Sequence, residues 1–459
     1  MPSYKFQGAL MNEGWISPAF VRTDDQGILN YISDHAEDGI QYETVNGYAI
    51  PGFQNAHSHA FQYAMAGLAE KHVPGVEGDD FWSWREAMYQ IALTMDPDQL
   101  EAVASMLYAE MVRHGYTHVA EFHYLHHDRD GKPFSNLAEM GSRLISAANN
   151  AGIKITLVPM FYQMGGFGME PQPRQKRFIS STQDDYYKLL ESTKVATNSC
   201  QDANYGFGIH SLRAVRPDDI ISSLDNLNEQ IPIHIHISEQ LKEIEDAKSY
   251  LGARPVEWLL DNCHVNDQFH LVHATHLVSN EVNGIAKSGA YVVLCPTTEG
   301  NLGDGIFPLQ DFQKVDGKWS IGTDSHVSLN PLEELRMLDY GQRLISHQRN
   351  IFTSKKEGDS GKYGIDQALI SGRRAMNNME SQYFSIGQSF DAVIYDADFP
   401  LLAASSLEHL SSTIIYSCDS HCTLGTIVNG NWVVKNQKHT NAETIKREFI
   451  DTIKALKIR

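Results

Sequence analysis

Two histidines stand one residue apart in the stretch NAHSHAFQYAMAG, His57 and His59. On a β-strand, residues i and i+2 point to one face, so the two imidazoles converge on one spot. By itself the pair fits two polar residues at a strand end as well as it fits two metal ligands. The rest of the chain has to decide. Further polar residues follow short apolar runs: His123 and Tyr124 after THVAEF, His210 and Arg213 in YGFGIHSLR, and His234, His236 and Glu239 in IPIHIHISE. His273 and His276 belong to FHLVHATH, and Asp324 and His326 close WSIGTDSH. Scattered core histidines would not gather at strand ends in this way.

Imidazole nitrogens with a carboxylate oxygen suit Zn²⁺ or Fe²⁺. His57, His59, His236 and Asp324 would make a set of three nitrogens and one oxygen that leaves a position for water. Such a metal brings the pKa of a bound water from roughly 15.7 towards about 7. Alone, Asp324 would read as a helix cap; after the strand-like WSIGT it reads as a ligand. His236 lies nearer the C-terminal end of its strand than His234, which reads as a core or supporting histidine. Glu239 follows His236 at a spacing that lets its carboxylate hang over the water as a proton shuttle.

These residues need a scaffold that brings several strand ends together. Eight apolar runs (GYAIPGFQNAHSH, THVAEFHY, IKITLVPMF, YGFGIHSL, IPIHIHISE, FHLVHATH, AYVVLCP, WSIGTDSH) alternate with longer segments of helical spacing. That alternation points to a parallel (β/α)8 barrel, which carries its active site at the C-terminal ends of the strands. In DPDQLEAVASMLYAEMVRHG, Leu100, Val103, Ala104, Leu107 and Met111 share a helix face, with Gly115 as the stop. Both chain ends read as strands, with Asn429-Gly430 as a hairpin turn. The predicted organisation is therefore an N-terminal part of a small β-sandwich domain (1–50), the barrel (51–380), and the C-terminal part of the small domain with a terminal helix (381–459). That helix shows Ile445, Phe449, Ile453 and Leu456 on one face and a capping box of Thr440 and Glu443 at its start. The Gly/Pro-rich MGGFGMEPQP from Met164 fits a lid and a passive surface loop equally.

The 459 residues are 42% hydrophobic and 20% charged, ordinary for a globular protein with a large core. The formal net charge of −20 argues against a nucleic-acid partner. Five cysteines, at 200, 263, 295, 418 and 422, form no disulfide framework. Cys418 and Cys422 in CDSHC lack a second finger-like pair for a zinc clip. No apolar run reaches membrane-span length and the start carries no signal pattern, so a cytoplasmic enzyme with no membrane partner is expected.

PGFQNAHSHA, HIHISEQ, HLVHATHL and GTDSH match, in order, the metal-site pattern of the amidohydrolase superfamily, and GQSFDAVIYD resembles a strand of its small β-domain. Strand four has no lysine of the kind that bridges two metals, which favours the mononuclear, deaminase-like branch. Within that branch HSHAFQYAMAGLAE, FWSWREAMY, EFHYLHH, HSLRAV and DSHVSLNPLEELRMLDYGQRL resemble the formimidoylglutamate deiminases. The resemblance implies a hydrolase acting on the C–N bond of a linear amidine, converting N-formimino-L-glutamate to N-formyl-L-glutamate and ammonia in histidine degradation. It implies one zinc per subunit (Fe²⁺ suits the same ligands) on His57, His59, His236 and Asp324. Proton transfer and water orientation would fall to Glu239, His273 and Asp324, and substrate contacts to Gln62, Tyr124, His210 and Arg213. Arg85 would reach a neighbouring subunit's site, which requires a homodimer. Tyr63 departs from the basic residue expected after HAFQ.

The chemistry of that substrate agrees with the residues. A small molecule with two carboxylates and a cationic amidine needs a water activated at the amidine carbon, a proton for the departing ammonia, and fixed donors for its carboxylates. Arg213 is placed for a bidentate clamp. The alternative is a deaminase of another amidine, a guanidino compound or an amino-heterocycle, for which FWSW and FHYLHH offer stacking groups. The arginine of HSLR discriminates, since a neutral heterocycle would not need it.

Overall fold

The computed structural model describes residues 1–70 and 81–457, the side chains at 81–83, 85 and 86 excepted. Eight parallel strands run in sequence order around a barrel: β1 (Phe53–Ser58), β2 (Tyr116–His123), β3 (Lys154–Phe161), β4 (Phe207–Ser211), β5 (Ile233–Ile237), β6 (Phe269–His273), β7 (Tyr291–Leu294) and β8 (Lys318–Ile321). Each of the eight apolar runs thus becomes a barrel strand. Their residues are buried almost without break, as expected of strands covered by helices outside and by packed side chains inside. Ala203–Tyr205 adds a short strand beside β3.

The helices between them start where the sequence supplies caps and prolines. Helix Pro97–Arg113 opens on Asp96, whose carboxylate accepts from the Gln99 N–H, and it buries Leu100, Val103, Ala104, Leu107 and Met111. Pro217, Pro255, Pro296 and Pro331 each start a helix in the same manner, where a missing N–H costs nothing.

The barrel closes only at the top of its last seam. The β8–β1 contact is a single parallel bridge between Ser58 and Asp324, joined by the Thr323 and Asp324 N–H groups, both donating to the His57 carbonyl at 3.1 and 3.0 Å. Asn55 adds a side-chain link, with Nδ2 donating to Thr323 Oγ1 at 2.8 Å. Gly322 makes this approach feasible: a Cβ there would lie 2.6 Å from that of His57.

Strands from both ends of the chain form a second sheet, nine-stranded and separate from the barrel. Its centre pairs Ala392–Asp396 antiparallel with Glu43–Pro51, which runs parallel to Ser3–Met11. Asn429 and Gly430 make the hairpin between Thr423–Val428 and Asn431–Lys435, both with positive φ (47° and 68°). The small sheet is tied to the barrel by Lys154, whose Nζ meets Asp391 Oδ2 at 2.6 Å.

The terminal helix spans Ala442–Leu456 and packs on helix Pro97–Arg113. Its expected capping box does not form. The N-cap is Asn441, with no side-chain cap, because the Thr440 N–H is engaged by the Val433 carbonyl of the strand Asn431–Lys435. Asn441 instead donates from Nδ2 to the Asn150 carbonyl, anchoring the helix start to the barrel. All five cysteines are free thiols, and no helix of the described residues is long and apolar enough to cross a membrane.

Candidate active site

The C-terminal ends of β1, β5, β6 and β8 deliver His57, His59, His236, Glu239, His273 and Asp324 to one buried cluster. The Nε2 atoms of His57 and His236 lie 3.1 Å apart, and Asp324 Oδ1 is 3.3 Å from His57 Nε2 and 3.5 Å from His59 Nε2. Donor atoms of His57, His59 and Asp324 form one close group and those of His57, His236 and His273 a second, with His57 common to both. Ligands held tetrahedrally at about 2.0–2.1 Å from a zinc ion are separated by about 3.3–3.4 Å, so the spacings fit such an ion.

Each donor is aimed from behind. His59 donates from Nδ1 to the Phe122 carbonyl at 2.9 Å, and His236 from Nδ1 to the His210 carbonyl at 2.8 Å, which leaves both Nε2 lone pairs facing the centre. Burial, reinforced by neighbouring imidazoles, holds His57 and His236 far below the usual histidine range; burial lowers His59 too, against the pull of Asp324. Neutral imidazoles are what a metal requires. His57 Nδ1 has no hydrogen-bond partner among the described residues; the His57 and Phe122 rings meet edge to face with centroids 3.9 Å apart.

Backbone strain gathers at the same strand ends. Ser238, His273 and Asp324 adopt positive φ (53°, 69° and 47°), a region that non-glycine residues occupy at a cost and most often at functional sites.

Around the donor set lie the titrating groups. His273 Nε2 is 3.8 Å from Glu239 Oε1 and 3.9 Å from Asp324 Oδ2, and its Nδ1 donates to Glu299 Oε1 at 3.2 Å. Burial works against protonation of His273, but Glu239, Glu299 and Asp324 outweigh it and lift the imidazole to about 10. Glu239 is buried, and its Oε2 lies 3.9 Å from Arg213 Nη2. Glu243 accepts the Ser238 and Glu239 backbone N–H groups at 3.1 and 2.9 Å and faces Arg213 Nη1 at 3.7 Å. Burial pushes Glu243 up, countered by Arg213 and by those N–H groups.

A cavity opens over this cluster. Gln62, Tyr124, His210 and Arg213 line it together with His59, His236, Glu239, His273 and Asp324, so the expected contact residues with described side chains come together. Gln62 Nε2 donates to the Tyr124 hydroxyl at 2.9 Å, while Gln62 Oε1 is buried with no partner among the described residues. Arg85 sits on helix Phe81–Thr94, but its side chain lies outside the described residues.

Other strand-end histidines go elsewhere. His234 stacks on His270 and donates from Nε2 to the Ala375 carbonyl, beneath the cluster. His123 turns outward against Gly141 of helix Glu139–Ala151. His326 is held by Thr323 Oγ1 at 3.0 Å. Tyr63 is absent from the cavity wall; its ring packs on Phe449 of the terminal helix with centroids 5.6 Å apart. The Gly-rich loop from Met164 forms one wall of a second, outer cavity that shares Tyr162 and Arg213 with the first.

Sequence reasoning missed Glu299, Glu243 and the aromatic residues Tyr89, Tyr162 and Phe178, which form the wall together with Trp84 of FWSW. Glu299 occupies the first turn after β7, four residues past Cys295, and Glu243 follows Glu239 by four. Acidic residues in the first turn of a helix at the catalytic end of a barrel were the available signal.

The amidohydrolase family matches residues 48–433. A formimidoylglutamate deiminase of Pseudomonas aeruginosa is 40% identical over 447 residues, covering 97% of both chains. Among solved structures, an amidohydrolase from Brucella melitensis superposes with a TM-score of 0.93 at 39% identity, covering 99% of this chain and 100% of that one. An adenosine deaminase from Xanthomonas campestris with bound zinc shares the fold, with a TM-score of 0.79 at 18% identity, covering 99% of this chain and 98% of that one.

Proposed function

This chain belongs to the amidohydrolase family and is a hydrolase of C–N bonds, and from that premise we propose that it converts N-formimino-L-glutamate and water to N-formyl-L-glutamate and ammonia, a step of histidine degradation. One observation carries the substrate assignment: a guanidinium, Arg213, stands 3.9 Å from the carboxylate of Glu239 at the mouth of the donor cluster. A pocket with a fixed cation at one side and a carboxylate over the reaction centre suits a ligand that is anionic at one end and a cationic amidine at the other. The whole-length similarity to the Pseudomonas deiminase supports the same reading.

His57, His59, His236 and Asp324 would hold one zinc per subunit, which when bound supplies a Lewis acid that acidifies water at the site. Glu239 takes a proton from the attacking water at a carboxylate oxygen. The new C–O bond forms at the amidine carbon, Glu239 returns the proton to the departing nitrogen, and as the C–N bond breaks the new hydroxyl gives its proton to Asp324, leaving the formyl C=O and ammonia. His273 and Asp324 hold the water, with Glu299 fixing the His273 ring through Nδ1. Arg213 clamps a substrate carboxylate, while Gln62, Tyr124 and His210 shape the remaining wall. Gln62 Oε1, otherwise unpaired, is available to an amidine N–H. We assign the enzyme to the cytoplasm, in keeping with its free thiols, and to a homodimer in which Arg85 serves the neighbouring site.

A second reading, deamination of an amino-heterocycle, is favoured by the aromatic wall of Tyr89, Tyr162 and Phe178. It would leave Arg213 without a ligand group to bind. Proton NMR of a substrate panel decides between them: a formyl resonance growing from N-formimino-L-glutamate, with adenosine and methylthioadenosine inert, supports the proposal. Turnover of a heterocycle with formiminoglutamate inert overturns it.

A further inference from the structure

Glu243 performs no step in the scheme above, yet both oxygens of its carboxylate are engaged. It is buried at 5% exposure, one oxygen accepts the Ser238 N–H at 3.1 Å, and the other accepts the Glu239 N–H at 2.9 Å. The turn it grips is strained, Ser238 lying at φ 53° just past the end of β5. Two N–H groups pointing at one carboxylate hold that turn in a conformation a serine would otherwise leave. The second oxygen also faces Arg213 Nη1 at 3.7 Å, while Arg213 Nη2 faces Glu239 at 3.9 Å. Neither separation is a hydrogen bond, so both carboxylates attract the guanidinium without consuming its donors.

Resting on the deiminase reading, we infer that Glu243 is a positioning residue that sets the backbone of the proton-transfer residue Glu239 and the direction of the carboxylate-binding Arg213 together. One buried charge thereby fixes the distance between the two ends of the substrate site. A glutamine there keeps the shape but has a single acceptor oxygen, so one backbone N–H would face an amino group and Arg213 would lose its anchoring charge.

The test is steady-state kinetics on the zinc-loaded full chain for wild type, Glu243→Gln, Arg213→Met and the double variant, with zinc content and thermal unfolding as controls. Glu243→Gln is expected to raise KM and lower kcat, each by roughly tenfold, as for loss of one charged hydrogen bond. In the double variant KM should equal that of Arg213→Met alone, while the kcat loss persists. Multiplying KM effects, or unchanged constants in folded, zinc-loaded Glu243→Gln, would overturn the inference. Glu243→Asp keeps the charge but is one methylene short. It should fall between wild type and Glu243→Gln, and constants equal to wild type would count against the reach argument.

A turnover-free arm separates this inference from the function it rests on. Glutarate, a plain dicarboxylate, is titrated by tryptophan fluorescence, with Trp84 in the pocket wall as reporter. If wild type fails to deiminate formiminoglutamate, the function reading falls. The positioning inference survives only if Glu243→Gln weakens glutarate with Arg213 present and not with Met at that position. Equal glutarate affinity in wild type and Glu243→Gln, or no binding at all, overturns it.

Discussion

Replacing Gly322 with alanine puts a methyl carbon 2.6 Å from His57 Cβ, 2.8 Å from its N and 3.0 Å from its Cα. Carbon atoms in contact rest at about 3.5–4.0 Å, so the strands must separate by about 1 Å. Backbone atoms cannot rotate away as a flexible side chain would. The displaced seam is the one that joins β1 to β8, and it carries His57 and His59 on one side and Asp324 on the other. Metal–ligand distances tolerate about 0.2 Å, several times less than this shift. Gly322→Ala should therefore weaken zinc binding by roughly 10–100-fold, the range seen when ligand orientation is disturbed. The overpacking should also cost about 1–3 kcal/mol of stability. Zinc affinity by competition with a chromophoric chelator, beside thermal unfolding of the apo protein, reads both effects. An alanine variant with wild-type affinity would show that the β8–β1 seam does not set the donor geometry, and the assignment of Asp324 as a ligand would lose its main support.

Glu239→Gln should keep one zinc per chain and lose about 10²–10⁴ in kcat, the usual worth of a positioned acid–base group; wild-type turnover in that variant would remove Glu239 from proton transfer. Arg213→Met should act chiefly on KM, raising it by roughly 10–100-fold for the loss of charged hydrogen bonds to a carboxylate, and an unchanged KM would move the clamp elsewhere. Asp391, half-buried, is held below the usual carboxylate range against its desolvation by Lys154 and by hydrogen bonds from the Asn429 N–H and Ser389. Its folded-state pKa lies below its unfolded one, so its stabilisation is complete above the unfolded value and fades as pH falls through the folded one. Asp391→Asn should thus cost about 1–3 kcal/mol at neutral pH and flatten the acid limb of the stability profile, which denaturant titrations across pH would register; an acid limb as steep as wild type would contradict it.

The barrel was legible because its strands are buried on both faces and so read as continuous apolar runs ending in polar residues. That these candidate donors would share strand ends was legible for a related reason, since period-two spacing at His57/His59 and the three-residue step from His236 to Glu239 are local geometry. What stayed hidden depends on contacts between segments far apart in sequence. Only its place in the first turn of the helix distinguishes buried Glu243 from Glu245 in SEQLKEIED, and Glu299 becomes a partner of His273 only after β6 and β7 are set side by side. The strained φ of Ser238, His273 and Asp324 is likewise invisible, because these residue types do not advertise left-handed backbone as glycine does. Tyr63, the departure from the family pattern, is accounted for by the terminal helix: its ring faces Phe449, nearly four hundred residues away along the chain.

The most direct test of the whole account is a zinc titration of the chelator-stripped protein, with ammonia release from N-formimino-L-glutamate followed at each step. The account predicts no ammonia without metal, a linear rise in rate to one zinc per chain, and no gain beyond it. Ammonia released at full rate by metal-free protein, or a rate that climbs until a second zinc is bound, would contradict a single metal held by His57, His59, His236 and Asp324.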